Sequence, residues 1–372
     1  MINLLTVLWF YSDLRRKINF LLLILFTVFS SIIEVFSIAS IIPFIAVVSD
    51  PENIFKYKFI EDFANYFEIY EAQKLILPSA ILFVFISILG AIFKVLTLLF
   101  NTKFAVSFGV FLSEEVFKKT LYMPFIEHSK LNSSFTISVL VEKINGVIYH
   151  IIYGMLNIIS STILLVFTLS TLILINFKIA LFSGLVIGIL YTSISFVVLR
   201  KVKITSKIIA FQQTNLVKLI SESLGSIKDI ILDSLEDYFI KNFVSQNKIM
   251  REKAGIQNLV AQIPRYLIET LILISIVIFI AVSFILYPIN LISYLPVIGA
   301  MALGAQKSVP AAQLIYSSWV RMQSHKDIFA EVLSVLARTI NYSKNENLNV
   351  DSKIIFNKTI EFKDVNFSYG IN

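Results

Sequence analysis

From Ile144 to Phe177, and again from Ile179 to Leu199, this chain carries no Asp, Glu, Lys or Arg. The same holds from Leu75 to Phe93 and from Thr270 to Gln306, and between Ile18 and Val48 the one charged residue is Glu34. A helix that crosses a bilayer needs roughly 20 predominantly apolar residues. The run 270–306 is broken in its middle by Pro288, Asn290 and Pro296, so it reads as two passes. Six spans are expected, at about 19–47, 75–103, 145–174, 179–200, 264–286 and 291–322. Composition agrees, with 57% of residues hydrophobic and 15% charged, against about 25% charged in soluble domains.

The placement of positive charge predicts a topology. If the N-terminus is cytoplasmic, the inner segments 1–17, 101–146, 200–265 and 321–372 carry 3, 5, 11 and 7 Lys and Arg, whereas the outer ones hold only Lys56, Lys58, Lys74 and Lys178. The positive-inside rule then puts both termini in the cytoplasm, with Arg15-Arg16-Lys17 against the first span as its sharpest signal. The net charge of +7 is accounted for in this way and is no argument for nucleic acid. With no cysteine, disulfide and thiolate chemistry are excluded. The first span is too long for a signal peptide and reads as a retained helix.

Outer connections are short, except for 49–74, where Phe59, Phe63, Tyr66, Phe67 and Tyr70 fit one face of an interfacial helix or line an ordinary loop. Inner segments 104–144 and 200–264 mix charge with apolar residues at helical spacing and have few helix breakers. They read as membrane helices continued into the cytoplasm, about 20 Å beyond the lipid at 1.5 Å per residue. After the sixth span, 323–340 is amphipathic and 341–352 (NYSKNENLNVDS) is a polar linker. In KIIFNKTIEFKDVNFSY (353–369), apolar Ile360, Phe362, Val365, Phe367 and Tyr369 recur near every second position, the pattern of a half-buried strand.

These features together resemble the transmembrane half of an ABC exporter running into its ATP-binding domain. In that family the ATPase domain opens on a strand patterned apolar-x-F-x-x-V-x-F-x-Y, which IEFKDVNFSY fills. LINFKIALFS (174–183) is similar to the family's tight turn between spans three and four. LISESLGSIKDIILDSLEDYFIKNF (219–243) resembles its second inner hairpin, with a coupling helix around Lys228–Tyr238, and LYMPFIEHSKLNSS (121–134) would hold the first. The implied fold is an all-α membrane protein of six transmembrane helices with long cytoplasmic extensions, plus a short C-terminal β segment. The implied division is 1–18 as a cytoplasmic segment, 19–322 as the transmembrane domain, 323–352 as helix and linker, and 353–372 as the truncated start of the ATP-binding domain.

A narrower resemblance lies in SIIEVFSIASIIPFIAVVSD (31–50), QIPRYLIET (262–270) and KSVPAAQLI (307–315), which are similar to bacterial flippases of lipid-linked oligosaccharides. It implies a polyprenyl-pyrophosphate glycan as cargo, membrane lipids as surroundings, a homodimer in the bacterial inner membrane, and ATP and Mg in the complete transporter. Arg265 and Lys307 align with basic positions of those flippases. Gly90 and Leu314 stand where the flippases carry further basic residues, and Lys94 lies one turn from Gly90.

Charged groups at span depth are functional candidates by default: here Glu34, Lys94, Arg265, Glu269 and Lys307. Each has a plainer reading too. Arg265 and Glu269 are four apart and able to neutralise one another, Lys94 is close enough to the inner surface to snorkel, and Lys307 has Glu34 as a possible partner. The functional reading is a cavity in which Lys94, Arg265 and Lys307 hold a pyrophosphate, Arg by bidentate contacts and Lys as point charges. By the resemblance, Tyr369 takes the adenine-stacking position of an incomplete site.

No G-x-x-x-x-G-K-[ST] occurs, so this sequence carries no phosphate loop and is not expected to be an enzyme by itself. His128, His150 and His325 suit no metal site and are read as structural. Two rival readings stand beside the flippase: a non-functional gene fragment, and a transmembrane subunit for peptide, drug or lipid export paired with a separate ATPase chain. A passive channel conflicts with the long inner hairpins.

Overall fold

The structure, a computed structural model, describes residues 13–49, 72–123, 133–175, 177–286, 291–337, 359 and 361–366. Among them nearly every residue is helical and none lies in a strand. Three stretches are long and apolar enough to cross a bilayer: Leu14–Ile45, Ile76–Leu121 and Ser134–Leu174. The protein is an all-α membrane protein. The expected spans 179–200, 264–286 and 291–322 fall inside the helices Phe177–Gly225, Glu236–Leu286 and Leu291–Ser324.

The first expected span is two helices, α1 (Leu14–Ala39) and α2 (Ile41–Ser49). Pro43 cannot donate a backbone hydrogen bond, and its ring crowds the carbonyl of Ala39; the chain breaks next to that carbonyl, at Ser40. The break is capped by the Ser40 hydroxyl, which donates to Ser37 O at 3.0 Å. Helix α3 (Ile76–Leu121) follows a 3-10 turn and tolerates Pro78 because it falls in its first turn. Ile81, Phe85, Ile88, Ile92 and Val95 all point outward from α3. In water that stripe would be a large apolar patch; on a spanning helix it is the face that meets lipid.

A second rod begins with α4 (Ser133–Ser138) and ends with α5 (Tyr153–Ile175). Between them Val139–Lys143 and Val147–Ile152 are π-helical, separated by one ordinary turn. Helix α6 (Phe177–Gly225) starts just beyond α5; Asn176, on which the tight turn expected at 174–183 falls, lies outside the described residues. A six-residue α7 (Ile227–Leu232) leads into α8 (Glu236–Leu286). Of the range 228–238, where a short helix was expected, Ile227–Leu232 is helical and Tyr238 belongs to α8. Ser234 makes the turn with φ of 52°, in the left-handed region. Helix α9 (Leu291–Ser324) and the short α10 (Lys326–Leu336) complete the helical body.

Helix length is the dominant fact of this architecture. Helices α3, α6 and α8 have 46, 49 and 51 residues. At 1.5 Å per residue they are about 69, 74 and 77 Å long, more than twice the roughly 30 Å hydrocarbon core. Pro264 lies inside α8, where it leaves the carbonyl of Val260 without its intrahelical donor. Tyr316 of α9 supplies one, its hydroxyl donating to Val260 O at 3.4 Å, and Gln313 Nε2 donates to the adjacent Ala261 O at 2.8 Å.

Two apolar cores organise the body. One joins α1, α3, the π-helical stretch, α5 and α10, around Leu112, Val116, Ile151, Leu156 and Phe329. The other joins α6, α8 and α9, around Val202, Ala261, Ile268 and Val320. The amphipathic stretch expected at 323–340 is α10, which buries Ile328, Phe329, Val332, Leu333, Val335 and Leu336.

The C-terminal strand expectation has a different outcome. Residues 361–366 form no strand, and Phe362 and Val365 are exposed. A strand exists only by pairing with another, and no partner edge exists among the described residues. Ile360, Phe367 and Tyr369 lie outside the described residues. So do the aromatic segment 51–71 and residues 124–132, which held the first expected coupling helix.

Candidate anion-binding site

One face of α1 carries Thr27, Ser30, Ser31, Glu34 and Ser37, three or four residues apart and all buried. Two of these hydroxyls satisfy themselves within the helix: Thr27 Oγ1 donates to Leu23 O at 2.8 Å and Ser31 Oγ to Thr27 O at 2.9 Å. Glu34 needs donors from elsewhere, because an ionised carboxylate only accepts. Two lysines from two other helices supply them. Glu34 Oε1 lies 3.3 Å from Lys94 Nζ on α3 and 3.7 Å from Lys307 Nζ on α9.

Lys307 is committed further. Its ammonium donates to the Glu34 carbonyl at 3.3 Å and to Ser37 Oγ at 3.2 Å, and Ser37 Oγ is 3.4 Å from Ser87 Oγ. Gly90 faces this point from α3: a Cβ there would stand 3.9 Å from Glu34 Cα, so the two backbones meet closely.

Burial sorts the roles of the three charges. The side chain of Glu34 is 8% exposed, that of Lys307 23%, and that of Lys94 65%. Lys307 adds two hydrogen bonds to its ion pair, and such added bonds help a buried ion pair hold its own against desolvation. Lys94 is different, since it touches the carboxylate and keeps most of its surface open. Two ammonium groups on one carboxylate leave a surplus of one positive charge. An anion arriving at the open side of Lys94 would find a donor only partly used and, among the described residues, no second carboxylate paired with it.

The five charged residues expected to line one cavity fall into two groups. Glu34, Lys94 and Lys307 come together. Arg265 and Glu269 pair with each other one turn apart on α8, Nε to Oε1 at 2.7 Å, with both side chains exposed. No hydrogen bond or ion pair among the described residues links this pair to the Glu34 group. Tyr369 lies outside the described residues. Near the second group, Tyr191 donates to Gln313 Oε1 at 3.1 Å. It also lines an apolar cavity of about 290 Å³ with Ser308, Ala312, Tyr316 and Trp319.

No protein-family model matches this chain. What the site can do is therefore argued from its geometry.

Sequence reasoning passed over two constellations. Lys143 counts by sequence as an inner-loop charge, yet its side chain is fully buried. It pairs with Glu331 of α10, donates to Thr214 Oγ1 at 2.9 Å, and lies 4.7 Å from the Phe135 ring centre. His150 and His325, read as isolated, stack with ring centres 3.8 Å apart. Gly146 permits this, because a Cβ there would come 3.3 Å from the His325 ring. Both constellations fasten α10 to the π-helical stretch, and π-turns are often retained for such local needs. Among the described residues no group of three His, Asp or Glu is arranged to hold a metal.

Proposed function

We propose that this chain is the membrane-spanning part of an ATP-driven exporter of the ABC type, moving a lipid-linked oligosaccharide or a related phosphate-bearing lipid. In this reading it has six spans, works as a homodimer in a bacterial inner membrane with both termini cytoplasmic, and receives force from an ATP-binding domain or subunit using ATP and Mg. The observation that carries the reading is the overreach of α3, α6 and α8. A channel or small carrier needs about 20 residues per pass. Helices of more than twice that length, with charged distal halves ending at Lys118–Lys119 and at the Gly225–Glu236 tip, suit a protein that must take up motion from a machine below the membrane.

The class of cargo is supported by the Glu34 group. Its surplus positive charge favours an anion, and its place between spanning helices favours one attached to a lipid. The apolar cavity beside Tyr191 and Ser308 suits hydrocarbon. Apolar residues exposed on α6 and α8, among them Phe211, Leu259 and Leu267, supply surface for a second copy.

The test is transport of a labelled polyprenyl-pyrophosphate glycolipid in proteoliposomes supplied with the ATP-binding component. Lys307→Ala and Lys94→Gln are each expected to abolish ATP-dependent movement. Wild-type rates in both would overturn the cavity reading.

A further inference from the structure

Helices α1 and α3 run antiparallel, and aromatic contacts fix their register. Phe26 meets Phe100 at 4.9 Å, Phe20 meets Phe104 at 5.7 Å, and the Arg16 guanidinium lies 4.1 Å above the Phe111 ring. Between the two helices is a groove of about 590 Å³, on the Arg16 side of Glu34 and at least two turns from it.

The walls of this groove are sorted by chemistry. Arg16 and Asn19 from α1, with Ser107 from α3, bring polar and cationic groups to one end, and Lys103 of α3 stands on the other side of the Asn19–Ser107 level, about opposite Leu22. Leu22, Phe26 and Phe100 line the other end, over a floor that includes Leu23 and Phe108. The register puts Asn19 and Ser107 at nearly one level, because they are bracketed by the Phe20–Phe104 and Arg16–Phe111 contacts. Among the described residues Arg16 has one ion-pair partner, Asp13 at 2.6 Å, which is largely exposed and so weakly held, and Glu114 is a second carboxylate within electrostatic reach. The Nε of Arg16 is buried and has no hydrogen-bond partner among the described residues. The cationic end thus has donors to spare, at the depth where Arg15-Arg16-Lys17 meets headgroups.

We propose that this groove binds one anionic phospholipid, with its phosphate between Arg16 and Lys103 and one acyl chain against Leu22, Phe26 and Phe100. Asn19 and Ser107 donate to the non-bridging oxygens. Free phosphate would leave the apolar half of the groove unused, and a neutral lipid would leave two cations unmatched. A single phospholipid satisfies both ends. The site is distinct from the Glu34 group and does not depend on what the protein transports.

The test uses the full chain, purified in detergent, delipidated, and titrated with phosphatidylglycerol or phosphatidylcholine under native mass spectrometry. Phosphatidylglycerol is expected to bind at least about fivefold better, and Lys103→Gln, an exposed and well-tolerated change, to remove about fivefold, as expected for one basic contact. Arg16→Gln/Lys103→Gln is expected to lose on the order of 25-fold, with helicity checked by circular dichroism. Arg15→Gln, at an exposed position outside the groove lining, makes no contact with the bound phosphate and should change binding less than about twofold, its charge being screened by solvent and salt. Three outcomes overturn the proposal. Equal binding of the two lipids gives the groove to another apolar occupant, such as a second copy. An Arg15→Gln loss as large as that of Lys103→Gln means diffuse surface charge. Displacement of the lipid by millimolar inorganic phosphate means a free-anion site.

Discussion

Lys307→Met is the most informative single change, because it removes three contacts at once. Lost are the ion pair at 3.7 Å and the donations to Glu34 O at 3.3 Å and Ser37 Oγ at 3.2 Å. Glu34 stays buried, at 8% exposure, and keeps only Lys94. Leaving one member of a buried pair alone costs roughly 3–5 kcal/mol. Two terms reduce that figure: Lys94 still neutralises the carboxylate, and the lost attraction at an effective dielectric near 20 is about 4 kcal/mol before the ammonium's desolvation is returned. A net loss of about 2–3 kcal/mol is expected. Glu34→Gln alone should also destabilise, since it leaves two ammonium groups facing one another. The double variant Glu34→Gln/Lys307→Met has no unpaired buried charge and should recover about 1–2 kcal/mol relative to the sum of the singles. The assay is a double-mutant cycle of SDS-induced unfolding in mixed micelles, followed by circular dichroism. Additivity within about 0.5 kcal/mol would refute the reasoning, because contacting charges must couple.

Other changes probe the docking of α10 and the helix contacts. Glu331→Gln should release α10, raising amide exchange across 328–336 by at least about tenfold, since it leaves the fully buried Lys143 ammonium without its carboxylate, a loss well over about 1.4 kcal/mol; Lys143→Met added to it should restore part of the protection, and unchanged exchange would contradict the docking role. Gly304→Ala forces a Cβ within 2.6 Å of Leu172 Cδ2 and 2.8 Å of Cδ1, an overpacking worth about 1–3 kcal/mol; SDS unfolding should show the loss, and Leu172→Ala should relieve it. Burial holds the His325 imidazole below its ordinary range, so the undocked state takes up the proton more readily. Stability of α10 is then present above about pH 6.5 and lost as pH falls below it. Exchange across α10, corrected for intrinsic rates, should rise between pH 7.5 and 5, and His325→Phe should flatten the profile; equal exchange at both pH values would contradict this.

Much of the helical body was legible in the sequence because bilayers impose a coarse rule. Charge-free runs marked α1, α3 and α5, and the α10 amphipathicity was plain. The pairing of Arg265 with Glu269 followed from a spacing of four, and Glu34 was a foreseeable partner for Lys307. What local patterns could not give was tertiary convergence. Lys94 and Lys307 are 213 positions apart, yet they share one carboxylate. Lys143 looks solvent-bound in sequence because the helix that buries it lies nearly 190 residues later. The His150–His325 stack was invisible for the same reason. At the C-terminus the described residues 361–366 show no strand, since alternation signals strand preference and only a neighbouring edge turns preference into a strand.

The central claim is that the Lys94–Glu34–Lys307 group receives a phosphate-bearing lipid. Equilibrium binding of a polyprenyl pyrophosphate to the purified chain, against the neutral polyprenol, tests it most directly. The account predicts that the pyrophosphate binds at least about tenfold more tightly and that Lys94→Gln removes most of that preference, as loss of a charge-assisted contact requires. Equal affinity for the two lipids, or a preference untouched by Lys94→Gln, would contradict it.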